Sequence, residues 1–235
     1  MGIFGFLYTG TDDAPGNVGL WDQMLALEWV RDNIERFGGD PKGVTLMGSG
    51  AGAWSITIHI YSPISQNLFR NVILQSGAVT NNMFQGLPRD HVKKWLKAVQ
   101  DIPCHGNQSI QMIDKFNETT IQCLKDADAM TLINITEKMF FNNFGISGAL
   151  VVVDGKLIPK KPSDILREGL YNQEINMLFG TSIDEGNFLP AANPKNFTLS
   201  EAKQRLEDLI SDISQRFEIN GKDVSNLYFT GLRTN

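Results

Sequence analysis

The chain is poor in the residues from which many kinds of site are built. Its 235 residues include two cysteines and three histidines. Two cysteines exclude a disulfide-dense scaffold and leave no CxxC pair for a zinc site. Acidic residues have no His or Cys company in metal-ligand spacing, and no calcium loop is recognisable, so neither metal nor cofactor is expected. No apolar run reaches the ~18 residues that a membrane-crossing helix needs. The opening MGIFGFLYTG has no charged n-region and no small-residue cleavage site, so it does not read as a signal peptide. Twenty-one basic against 26 acidic residues give a net charge of −5. That excludes a strongly basic nucleic-acid binder.

What is present is a chain that is 42% hydrophobic, enough for a sizeable core, with strands and helices in alternation. IFGFLY (3–8) reads as a strand and TGTDDAPGN (9–17) as a loop rich in turn formers. From Asn17, Leu20, Met24, Leu25, Trp29, Ile34 and Phe37 recur near helical spacing until Gly38 and Gly39 stop the run. GVTLMG (43–48) and NVILQS (71–76) read as buried strands. Between them AGAWSITIHIYS (51–62) reads as a buried helix, ended at Ser62-Pro63. Such alternation implies a parallel sheet with helices on its faces. Helices are expected near 89–100, 118–125 and 127–137, a further central strand at 175–182, and two helices at 198–216 and 222–229. The tryptophans, Trp21, Trp29, Trp54 and Trp95, read as core or rim residues.

The stretch VTLMGSGAGAWS (44–55) carries most of the chemistry. Gly48 to Ala53 satisfies G-x-G-x-x-G/A, the dinucleotide fingerprint. That site also wants an acidic residue ~20 positions on, at the end of the next strand. No Asp or Glu occurs between Pro41 and Arg89, so a dinucleotide module is the weaker reading. The other pattern is the nucleophile elbow G-x-S-x-G. Its central position holds Gly50, and Ser49 stands one residue early.

Several stretches resemble one family in its own order. APGNVGLWDQMLALEWVRDNIERFGGDPKGVTLMG (14–48) and IHIYSPISQNLFRNVILQSG (58–77) resemble the segments around the elbow in cholinesterases and other type-B carboxylesterases. VVVDGKLIPKKPSDILREG (151–169) and LFGTSIDEGNFL (178–189) are similar to later blocks. The resemblance implies a partial α/β-hydrolase fold. Residues 1–235 would form the middle of a longer domain that lacks its N-terminal and C-terminal parts. That reading implies an exposed sheet edge.

The resemblance also implies roles. Gly50 takes the nucleophile's place, Ala51 supplies an oxyanion N–H, and Glu185 matches the triad acid. In this fold the catalytic histidine comes after the acid, yet His59, His91 and His105 all precede Glu185. His59 reads as a packed or capping residue, His91 and His105 as surface residues. Glu185 reads equally well as a vestige of the triad or as an ordinary capping carboxylate. The GSGAG elbow resembles that of the neuroligins, non-catalytic adhesion members of the family. The expectation is a chain without esterase activity that acts by binding a protein or small molecule. The family resemblance further implies a disulfide between Cys104 and Cys123; closing such a loop of ~20 residues contributes about 3 kcal/mol in the chain-entropy model. Asn107, Asn117, Asn134 and Asn196 each begin an Asn-x-Ser/Thr sequon. Together these imply a secreted or extracellular glycoprotein.

Overall fold

The computed structural model describes residues 1–79, 88–100, 102–104, 108–109, 115–142, 151–183, 185, 220 and 222–223. The chain divides into two compact units, Met1–Leu189 and Pro190–Asn235. The sheets and both hydrophobic cores belong to the first unit. The helices expected at 198–216 and 222–229 lie outside the described residues, apart from helical Lys222 and Asp223.

The main sheet is built from β1 (Thr45–Ser49), β2 (Asn71–Gln75) and β5 (Asn176–Gly180), parallel and in the order β1-β2-β5. Its register aligns Met47 with Ile73 and Leu178, and Gly48 with Leu74 and Phe179. β1 runs through one residue into α3 (Ala51–Tyr61), and Ser62 leaves that helix at ψ 122°, as the next residue, Pro63, demands. α2 (Val18–Asn33), extended by a 3₁₀ turn (Ile34–Phe37), precedes the sheet and ends at Gly38, φ 82°. Ala53, Ile56 and Ile60 of α3 join Val72 and Leu74 of β2 in the main core, which also takes in Leu157, Ile158 and Ile165. Here the strand–helix–strand order reads correctly, because the crossover helix and β2 each carry their own hydrophobic signal, but β1 is not buried: Thr45, Met47 and Ser49 are exposed on one face.

A second core gathers α1 (Ile3–Phe6), α4 (Pro88–Val99), α5 (Glu118–Asp126) and α6 (Ala129–Asn142) around Trp95, Val99, Ile102 and Leu124. Residues Pro103–Cys104 (β3) and Gln108–Ser109 (β4) form a short antiparallel pair nearby in sequence. A seventh helix, α7 (Pro162–Glu168), starts on proline and ends at Gly169, φ 68°.

Several expectations are corrected. Residues 3–8 are not a strand: Ile3–Phe6 is a short helix, entered through Gly2 at φ 52°. A Cβ on Gly5 would fall 2.9 Å from Met1 Cβ and one on Gly19 2.9 Å from Met1 Cε, so the two glycines leave room for the Met1 side chain where α1 meets α2. The strand expected at 175–182 as central is β5, which lies, among the described strands, at one end of the sheet. Its Met177, Leu178 and Phe179 are 46%, 66% and 75% exposed. In α2, Leu20 and Leu27 are buried, whereas Leu25 and Trp29 face outward; Trp29 instead meets exposed Phe37, ring centroids 6.0 Å apart. His91, read as a surface residue, is buried on α4 in the second core. The strong amphipathicity of α4 puts it on the inner stripe with Trp95 and Val99.

One buried side chain ties distant segments together. Asn17 precedes α2 in the left-handed region (φ 57°), where asparagine is among the better tolerated residues. Its Nδ2 donates to Val152 O (2.7 Å) and Asp154 Oδ2 (3.0 Å), and its Oδ1 accepts from Val152 N–H (3.0 Å). Asp154 in turn accepts from the N–H groups of Lys156 and Ile158, both at 2.9 Å. Replacing Asn17 by Ala leaves the Val152 amide and carbonyl buried without this partner. Urea unfolding should show a loss of about 2–4 kcal/mol for Asn17→Ala; a loss under ~0.5 kcal/mol would mean the clamp is dispensable.

Candidate active site

The C-terminal ends of the parallel strands converge on the turn between β1 and α3. Gly50 stands at its tip with φ 53° and ψ −116°, a conformation that side-chain-bearing residues adopt only under strain. Its N–H donates to Gln75 O at 2.9 Å, and its carbonyl accepts from Trp54 N–H at 3.0 Å. A Cβ added at Gly50 would meet nothing within 4 Å. The turn therefore keeps the strained backbone of an elbow and an open space above it.

The neighbouring glycines have a different role. A Cβ at Gly48 would fall 2.6 Å from Gly52 C and 2.8 Å from Ala53 N. At Gly77 it would fall 2.5 Å from Gly50 O. Both are distances at which backbone must move. Strand, turn and helix can therefore close on one another only where residues 48 and 77 lack side chains. Ser49 is the last residue of β1 and continues its exposed face with Thr45 and Met47. It does not occupy the tip. Ala51 opens α3, so its N–H lies among the first amides of the helix, outside the intrahelical ladder.

Glu185 sits on the same rim. Its Oε1 accepts from Ser182 N–H at 2.9 Å. A hydrogen bond with the Ser76 side chain, and then the Ser182 amide, hold its carboxyl below the usual carboxylate range. Ser76 itself is at φ 50° and donates its N–H to Gly180 O at 2.8 Å. Ser76 directly succeeds Gln75, whose carbonyl holds Gly50. The structure thus brings Gly50, Ala51 and Glu185 to one edge of the sheet, with Ser76 between them. Sequence reasoning misses that role of Ser76, and only its position at the end of a strand signals it. β2 ends on Gln75 and Ser76, neither of them the carboxylate that a ribose site requires.

The described histidines lie elsewhere. His59 is in the last turn of α3, about 12 Å along the helix from Ala51. It is 2% exposed, with Nδ1 2.9 Å from Ser65 Oγ and Nε2 3.1 Å from Gln23 Oε1. Gln23 presents its carbonyl oxygen there, because its Nε2 donates to Ser55 Oγ at 3.4 Å. Ser65 Oγ in turn donates to His59 O at 3.3 Å, so both ring nitrogens have buried polar partners. Burial pushes its pKa down to about 4. His91 is in the second core, and His105 lies outside the described residues. Among the described residues no group of three or more His, Cys, Asp or Glu could hold a metal ion, and no helix is long and apolar enough to cross a membrane.

Of the other positions singled out, Cys123 is buried on α5 and disulfide-bonded. Asn117 caps α5, its Oδ1 accepting from Thr120 N–H at 2.8 Å, and is exposed. Asn134 is exposed within α6. Asn107 and Asn196 lie outside the described residues.

A parallel sheet with a strained strand–turn–helix elbow and a carboxylate at its rim defines an α/β-hydrolase-type scaffold. The carboxylesterase family model matches residues 1–229, and the chain belongs to that family. It is 36% identical over 198 residues to an acetylcholinesterase of Leptinotarsa decemlineata, covering 80% of this chain and 30% of the relative. Over 196 residues it is 34% identical to cholinesterase 1 of Branchiostoma lanceolatum, covering 80% and 52%. With carboxylesterase 5A of Felis catus the identity is 36% over 190 residues, covering 80% and 32%. The chain thus spans between about a third and a half of the length of these relatives.

Two consequences are measurable. Gly48→Ala should destabilise the fold by ~3 kcal/mol. Gly52→Ala, where a Cβ meets nothing within 4 Å, should stabilise it by about 0.5–1 kcal/mol; equal effects would refute the packing account. His59 sets a pH dependence. Its folded pKa lies below the unfolded value, so the unfolded chain binds the proton first. Stability is complete above pH 6.5 and falls toward pH 4, by up to about 3 kcal/mol. Denaturation profiles of wild type and His59→Gln should diverge over that window, and parallel profiles would contradict it.

Proposed function

We propose that this chain is a carboxylesterase-family protein that works by binding, with its elbow no longer a site of ester hydrolysis. The observation that carries the proposal is Gly50 at the elbow's tip, at φ 53° with open space above it. Where the family's attacking serine would stand there is no nucleophile. Glu185 remains as the acid's counterpart, an ionised carboxylate that bonds to Ser182 N–H and the Ser76 side chain and, among the described residues, orients no imidazole. Nucleophile and base act as a unit, and a lone oxyanion donor supplies only ~10²–10³ of rate. The neuroligin-like elbow supports adhesion as the biological context, with a protein or small molecule as partner. In the same reading Cys104 pairs with Cys123, the sequons at Asn107, Asn117, Asn134 and Asn196 carry glycans, and the protein works outside the cell. Residues 1–235 are then part of one α/β-hydrolase domain.

Gly50→Ser tests the accounting. The side chain has room, and the strained backbone costs about 1–3 kcal/mol. Thiocholine and naphthyl esters should still not be turned over, because this chain carries no histidine after Glu185. Inhibitor-sensitive hydrolysis by this variant would show that another residue serves as base.

A second reading has its own observation. The chain covers 30% of its acetylcholinesterase relative, and Met47, Leu178 and Phe179 leave apolar surface exposed on the sheet. Both favour an incomplete copy of a longer carboxylic-ester hydrolase. Mapping the transcript ends decides it. In-frame coding sequence on either side, with a histidine downstream, supports this reading, and a 5′ untranslated region with a genuine stop after Asn235 refutes it.

A further inference from the structure

Away from the elbow, α1, the loop after it, α5 and α6 line a solvent-open cavity of about 540 Å³. Its wall is mostly apolar, with Ile3, Leu7, Val18, Ile121, Leu124 and Leu132 among the lining residues. A second cavity of about 340 Å³ shares Asp13, Ile121 and Lys125 with it and adds Glu118. Volumes of roughly 300–1,000 Å³ with a few polar groups are typical of small-ligand sites. Phe4 and Val18, both lining residues, are 55% and 38% exposed, so apolar surface at the site is open to water.

The charges select the ligand. Among the described residues, Asp13 and Glu118 line the two cavities against a single cation, Lys125. Lys125 Nζ reaches Asp13 Oδ1 at 3.1 Å, with the two side chains 57% and 44% exposed. An exposed pair of this kind is worth a few-fold at most and exchanges readily. The lysine has a flexible stem that returns to water at little cost, whereas the short Asp13 side chain stays at the cavity wall. We propose that this cavity is a binding site for a small apolar ligand carrying one ammonium group, which displaces Lys125 from Asp13 while its body covers the apolar wall. This goes beyond the proposed loss of hydrolysis, and uses none of the elbow residues.

Three matched probes test it by calorimetric titration of the full 235-residue chain: 4-phenylbutylammonium, 4-phenylbutyrate and 4-phenylbutanol. The ammonium should bind about threefold to fivefold tighter than the carboxylate, the range of one partly exposed ion pair. Lys125→Ala removes the competing cation and should tighten ammonium binding severalfold. Asp13→Asn, nearly isosteric, should erase the preference between ammonium and carboxylate. Circular dichroism confirms that each variant is folded. The proposal is overturned if the carboxylate binds as tightly as the ammonium, if Lys125→Ala weakens ammonium binding, or if folded protein binds no probe up to about 5 mM.

Discussion

The structure depends on how closely β1, its turn and α3 can approach one another. At Gly48 and Gly77 there is no room for a Cβ, and the obstructing atoms are backbone. That contact fixes the chain reversal, and the reversal fixes Gly50 at φ 53°, with its amide on Gln75 and its carbonyl on Trp54. From Gln75 the constraint passes to Ser76, and from Ser76 to the Glu185 carboxylate and the Gly180 carbonyl. Three strand ends are therefore locked together around one turn. The strained geometry of the turn is thus set by backbone packing, with glycine at its tip.

Keeping such a turn has different consequences for glycine and for serine. A serine at the tip would hold strained dihedrals, a cost accepted where the hydroxyl does chemistry. Glycine adopts the same dihedrals without a Cβ penalty. Glycine at the tip therefore holds the turn without the strain a serine would carry, which accords with the proposed binding role. The carboxylate at the rim fits that picture. Held ionised by two hydrogen-bond donors, it has become part of the structure that joins β2 to the segment after β5.

How much of this is legible in the sequence varies with the source of the order. α3 and β2 are readable because each carries buried residues at its own period, β1 because its β-branched and apolar residues lead straight into the glycine turn, and Pro63 marks where α3 stops. The elbow pattern is readable because a strand, small residues and a helix succeed one another directly. Ile3–Phe6 misleads because its helix is entered through Gly2 at φ 52° and buries Ile3 in the second core, neither of which local alternation reveals. The Asn17 clamp joins residues 135 apart and leaves no local trace. His91 is misplaced when a lone polar residue is treated apart from the amphipathic stripe it shares with Trp95. Ser76 escapes notice because its importance lies in a hydrogen bond with a residue more than 100 positions away.

The central claim is that the elbow carries no nucleophile. Its most direct test is the intact mass of the wild-type protein after exposure to a reactive organophosphate, with any adduct located by peptide mapping. The account predicts no stoichiometric mass increase. A stoichiometric adduct on Ser49, or on any other side chain at the β1–α3 turn, would contradict it.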